Sequence, residues 1–116
     1  MPAIIKKATA RKIFNARGEE TLEVDIATET GSGRASAPAG ASKGKAEVVY
    51  YPEGGVDGAI KKFRKLIAPK LVSMDASQQG HIDRLLHEID GTENFGNIGG
   101  ETAYAVSLAV MKAASN

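Results

Sequence analysis

The sequence predicts an α+β fold, a three-stranded antiparallel meander followed by a helical segment of three or four helices. Three observations carry that expectation. Apolar and polar residues alternate through the first third of the chain, between short turn signals. Beyond it, apolar residues recur every three or four positions. The two patterns follow one another without interleaving, which separates this chain from a βαβ architecture.

Residues 4–14, IIKKATARKIF, read as the first strand, closed by the turn signal Asn15-Ala16-Arg17-Gly18. TLEVDIAT (21–28) alternates cleanly, with Leu22, Val24 and Ile26 on one face and Glu23 and Asp25 on the other. Glu29 to Gly33 reads as a second turn, and Arg34 to Ala37 as the start of a third strand. Connections this short join antiparallel strands, because parallel neighbours need a long crossover. After Tyr51-Pro52-Glu53-Gly54-Gly55, the residues Val56, Ile60, Phe63 and Ile67 fall at helical spacing until Pro69, which stops or bends the segment. Asp75 is the expected N-cap of the next helix, with Ile82, Leu85, Leu86 and Ile89 along one stripe, Gly80 as a weak point and Gly91 just past its end. GTENFGNIGG (91–100) reads as a polar loop, and Glu101 to Ala114 as a last helix apolar enough to be packed on several sides.

At 116 residues, 42% apolar and 25% charged, the chain has the size and composition of one globular domain, expected to span 1–116. Fifteen basic against fourteen acidic residues leave a net charge of +1, which gives no electrostatic case for a nucleic-acid partner. The absence of cysteine excludes disulfides, thiolate metal sites and cysteine nucleophiles. No apolar run approaches the length of a membrane span and the N-terminus lacks a signal-peptide core, so a soluble, cytoplasmic protein is expected.

The stretch APAGASKG (37–44) can neither fill a core nor favour a helix or a strand. Its small side chains let the backbone approach a ligand closely, Ser42 adds a hard oxygen, and Lys43 and Lys45 add positive charge. On composition alone a flexible connector is the better account, since small-residue loops are common connectors. It is neither a Walker loop nor a dinucleotide fingerprint, because the lysine spacing and the βαβ context are absent.

With its flanks, the stretch acquires a family likeness. ARKIFNARGEETLEVDIATETGSGRASAPAGASKGKAE (10–47), IAPKLVSMDASQQGHIDRLLHEIDGTENFGNIGG (67–100) and AVSLAVMKAAS (105–115) together resemble the N-terminal domain of enolases, the phosphopyruvate hydratases of glycolysis. The resemblance implies a cap on a large (β/α) barrel. In the whole enzyme, a lyase, that barrel carries the metal-binding carboxylates and the general-base lysine, dehydrates 2-phosphoglycerate to phosphoenolpyruvate and uses two magnesium ions. It implies no catalytic residue in this chain. Instead it implies a mobile loop of Gly40, Ala41, Ser42, Lys43 and Gly44, in which Ser42 offers oxygen to the second magnesium when the loop closes. The implied partners are the chain's own barrel, the substrate and, in the full-length protein, further copies in a homo-oligomer. A chain of 116 residues cannot contain a barrel of ~250, so alone it is expected to be inactive, with at most weak metal binding. The alternative function is a free-standing module that binds an anion or a protein on the same scaffold.

The chain departs from the family pattern at Ala39 and Lys43 in the loop, at Ala16 and Glu20 near the first turn, and at Glu101. His81 and His87, six apart on one helix, point away from each other and cannot share a metal. Asp83, Glu88 and Asp90 read as solvated helix charge, as does the basic run Lys61-Lys62-Phe63-Arg64-Lys65 around its one apolar residue. Arg11 and Glu23 read either as exposed strand residues or, by the resemblance, as charges at a subunit contact.

Overall fold

A computed structural model describes residues 2–37 and 51–115 of the chain. Strands β1 (Ile5–Phe14), β2 (Glu20–Thr28) and β3 (Ser32–Ser36) form one antiparallel sheet in the order β1-β2-β3. The helices follow: α1 (Gly55–Lys62), a π-helical turn (Phe63–Ile67), α2 (Ala68–Leu71), α3 (Gln79–Asp90) and α4 (Gly100–Ser115). The α+β expectation holds, with four helices.

The alternation in β2 sets the two faces of the sheet. Leu22, Val24 and Ile26 are fully buried beneath the helices. Glu23 and Asp25 lie on the opposite face, where Glu23 stands across from Arg11 and Asp25 across from Arg34. Arg11 pairs with Glu23 at 2.8 Å and with Asp25 at 2.7 Å, and Arg34 pairs with Asp25 at 2.7 Å. Burial pushes the Asp25 carboxyl up, but its bonds to Arg34 and Arg11 outweigh this and hold it below the usual carboxylate range.

The first turn forms where expected. The Asn15 side-chain oxygen accepts from the amides of Arg17 and Glu19, and Gly18 takes the positive φ of 77° that the turn requires. The second turn is shorter than its composition suggests, because Ser32 and Gly33 already belong to β3. Thr28 closes it by accepting from the Gly31 amide.

Pro69 does not end the helical segment. The chain widens into a π-turn in which the Ala68 amide donates to the Phe63 carbonyl, five residues back. This one-residue widening relieves the carbonyls that the proline ring would otherwise meet, and Pro69 then sits in the first turn of α2. Phe63, Ile67 and Leu71 stay fully buried throughout, joining Ile82, Leu86, Ile98, Val106 and Val110 against the sheet.

Asp75 does not cap α3, which begins four residues later after Gln78. Its carboxylate instead accepts from the Ala3 amide and from the amide and hydroxyl of Ser77. Those bonds hold its pKa below the usual range, the Ala3 amide contributing most. The backbone reinforces this contact: Ile5 donates to Met74, Ser73 to Ile5, and Ala76 to Ala3. A short-range cap signal was thus diverted into a long-range tie between the chain start and the α2–α3 connection. At the other end of α3, Gly91 adopts φ 72° and its amide returns to His87, as the sequence predicts.

Candidate functional site: the frame of the segment 38–50

The loop residues singled out from the sequence, Gly40, Ala41, Ser42, Lys43 and Gly44, lie outside the described residues, as does Ala39. The structure does describe what holds the two ends of that segment. The hydroxyl of Thr21, buried at the start of β2, donates to the carbonyl of Ala37 at 2.9 Å and lies 3.1 Å from the hydroxyl of Tyr51. With its one proton on Ala37, Thr21 accepts from Tyr51. The Ala37 amide also donates to the Leu22 carbonyl at 3.0 Å. One side chain of the sheet therefore holds both the last described residue before the segment and the first one after it.

Tyr51 is half-buried, and burial raises its phenol pKa. Glu101, in the first turn of α4, adds to that rise and is itself pushed up by burial. Beside it Thr102 is fully buried, and its hydroxyl has no hydrogen-bond partner among the described residues. The sequence reading missed both Thr21 and Tyr51. The available signal was a hydroxyl residue opening a strand whose inward positions are otherwise aliphatic.

α4 is aimed by a second polar assembly. Asp90, at the end of α3, is only 4% exposed and accepts from the amides of Thr92, Asn97 and Ile98 and from the Thr92 hydroxyl. Burial pushes its carboxyl up, but these donors prevail and hold it below the usual carboxylate range. Lys62 donates to the backbone and side-chain oxygens of Asn97, binding α1 to the same loop. Asp90 and Lys62 are therefore not the solvated charges that their helical runs suggest, because loop 91–98 folds back over both. Asp83 is also engaged, accepting from the Ser107 hydroxyl at 2.8 Å and linking α3 to α4. Glu88 is exposed, as are His81 and His87, and His87 rests on Phe95 with ring centroids 4.6 Å apart.

The described residues contain no group of three or more histidine, aspartate or glutamate side chains that could hold a metal ion. None of their helices is long and apolar enough to cross a membrane.

Comparison with known proteins places this frame. The family model described as "Enolase, N-terminal domain" matches residues 5–116. The chain belongs to the enolase N-terminal domain family. Curated relatives agree. The chain is 48% identical over 116 residues to the enolase of Methanothermobacter thermautotrophicus, covering 100% of itself and 28% of that protein. It is 48% identical over 112 residues to the enolase of Picrophilus torridus, covering 97% of itself and 28% of that protein. With the enolase of Pyrococcus furiosus it shares 46% identity over 122 aligned positions, covering 99% and 28% respectively. The chain thus spans a little over a quarter of the length of the relatives it matches. Membership of this domain family accounts for the meander, the four helices and the position of the segment 38–50 between them.

Proposed function

We propose that this chain is the N-terminal cap of an enolase that dehydrates 2-phosphoglycerate to phosphoenolpyruvate in the cytoplasm, and that residues 40–44 are its active-site lid. The observation that carries the reading is the family match along almost the whole chain, with APAGASKG in the order and place of the lid motif. The Thr21 clamp supports it. A segment that must reach a substrate reproducibly needs fixed ends, and one buried hydroxyl joins Ala37 to Tyr51. The free-standing binding module draws no comparable support.

The described residues do not make a magnesium cage, since they lack a carboxylate or imidazole cluster. In this reading both ions belong to the remainder of the enzyme, and the chain contributes the oxygen of Ser42. Magnesium, when bound there, stabilises negative charge developing on the substrate. This chain's own part is to place the lid, exclude water and seat the remainder of the enzyme. Lys43, where the family has threonine, puts a cation beside the expected phosphate. The charged sheet face around Arg11 and Glu23 is the surface this reading gives to a second subunit.

The test is Ser42→Ala in the full-length enzyme, assayed by phosphoenolpyruvate formation from 2-phosphoglycerate. Loss of one preorganised oxygen is expected to lower kcat on the order of 10²-fold, with the thermal midpoint unchanged. Unchanged turnover would remove the lid role from Ser42. The 116-residue chain by itself is expected to show no turnover, and measurable turnover by the pure chain would overturn the cap reading.

A further inference from the structure

Positive charge is concentrated in one stretch of the chain. Residues 61–70, KKFRKLIAPK, hold five cations and no acidic residue. Cations near the end of a helix are ordinarily explained by its dipole. Here α1 runs on into the π-turn, with the Phe63 amide bonded back to Ala59 and Ile60, so no helix end is free at Lys61.

Burial sets where these cations stand. Ile60 and Phe63 are turned into the core, and Lys62 is held by Asn97. Lys61 and Arg64, each one position beyond a buried residue, are left as neighbours on one side of the helix, and both are exposed. Among the described residues no carboxylate pairs with either. On the sheet, by contrast, Lys6, Arg11, Lys12 and Arg34 all have carboxylate partners.

Lys61 and Arg64 line a cleft of about 490 Å³ together with Arg11, Lys12, Asp57 and Ile60. β1 is an edge strand, and successive strand residues point to opposite faces, so Arg11 and Lys12 reach the cleft from the two sides of that edge. Asp57, the one carboxylate of the lining, is taken up by Lys12 at 3.4 Å, and Arg11 is paired with Glu23 and Asp25. The uncompensated charge of the cleft is therefore that of Lys61 and Arg64.

We propose that this cleft between β1 and α1 binds a chain of linked phosphates, held by Lys61 and Arg64. A guanidinium fork matches phosphate oxygens two at a time, and a lysine adds a point charge beside it. Two free cations at neighbouring helix positions suit charge repeated along a chain better than charge at a single centre. The cleft has the volume of a small-molecule site. Inorganic oligophosphate and the triphosphate of a nucleotide share this chemistry. The inference goes beyond the cap reading and uses neither residues 40–44 nor the magnesium ions.

The experiment titrates sodium tripolyphosphate into the full-length protein by calorimetry, in low-salt, magnesium-free buffer. One site per chain is expected. Lys61→Gln/Arg64→Gln is expected to weaken binding by about tenfold or more, and Lys65→Gln/Lys70→Gln, which removes two exposed cations outside the cleft lining, by less than about twofold. All four side chains are exposed, so both double variants keep the fold. Equal losses in the two variants would show diffuse attraction to a basic face and overturn the site. Undiminished binding in Lys61→Gln/Arg64→Gln would overturn it as well, and so would displacement of tripolyphosphate by 2-phosphoglycerate. ATP and adenosine separate the two sources. Tighter binding of ATP than of tripolyphosphate, with adenosine unbound, supports a nucleotide, and equal binding of the two supports inorganic oligophosphate. Adenosine bound as tightly as ATP refutes recognition through phosphate. A single-stranded oligonucleotide that binds where tripolyphosphate does not would overturn the small-anion site.

Discussion

Single side chains with several partners hold this domain in register. Thr21 makes two hydrogen bonds with one hydroxyl, and both span distant parts of the chain. Thr21→Val keeps the shape and removes both bonds, leaving a buried acceptor and a half-buried phenol. It is expected to cost about 1–2 kcal/mol in urea unfolding. An unchanged urea midpoint would mean that the clamp does not exist in solution. Asp90 gathers four donors, and its folded pKa lies below the ordinary ~3.9. A depressed carboxyl stabilises the fold fully above the unfolded value, and that contribution disappears as pH falls through the folded value. Asp90→Ala should therefore cost about 2–4 kcal/mol at neutral pH, and the gap between variant and parent should narrow once the pH drops below ~3.9. Unfolding curves at several acidic pH values would show it, and a constant gap would contradict the assignment. The Asp90 network could not be read from sequence, because the donors that fix it lie up to eight residues further on.

Between elements, β3 and α4 approach closely. A Cβ built on Gly33 would overlap the Ala109 carbonyl and the Ala113 amide, so the strand backbone lies directly on the helix. In the sequence Gly33 looks like part of a turn; its function is the close approach. Gly33→Ala is expected to lower stability by about 1–3 kcal/mol, read as a shift of the denaturant midpoint, because both obstructing atoms are backbone and cannot rotate away. A variant as stable as the parent would mean that α4 sits further from the sheet. The π-turn belongs to the same scale. Pro69 is legible as an interruption, but whether a helix stops or widens depends on what its far side buries. Here Ile67 and Leu71, on either side of the proline, are both fully buried, so the chain retains the helical path. Asp75 teaches the same lesson: a cap signal is local, and the Ala3 amide competed for it from 72 residues away.

For the molecule as a whole, the sequence by itself determined the class of fold and the family. Strand alternation and helical spacing register burial on one side of each element, and that register survives in the order of residues. The ordered motifs likewise determined that this is an enolase N-terminal domain, since they extend along nearly the whole chain. Tertiary structure alone decided which polar groups act together. Thr21 with Ala37 and Tyr51, Asp90 with loop 92–98 and Lys62 with Asn97 are pairings across folded space, and no periodicity encodes them. It also decided which apolar face goes uncovered. The sequence shows α4 to be apolar enough for packing on several sides, but only the packed domain shows that the sheet takes one side and leaves Tyr104 and Met111 exposed. The physical reason is common to both cases. Hydrophobic periodicity records that a side chain must leave water, whereas its partner is fixed by topology, which the folded chain alone supplies.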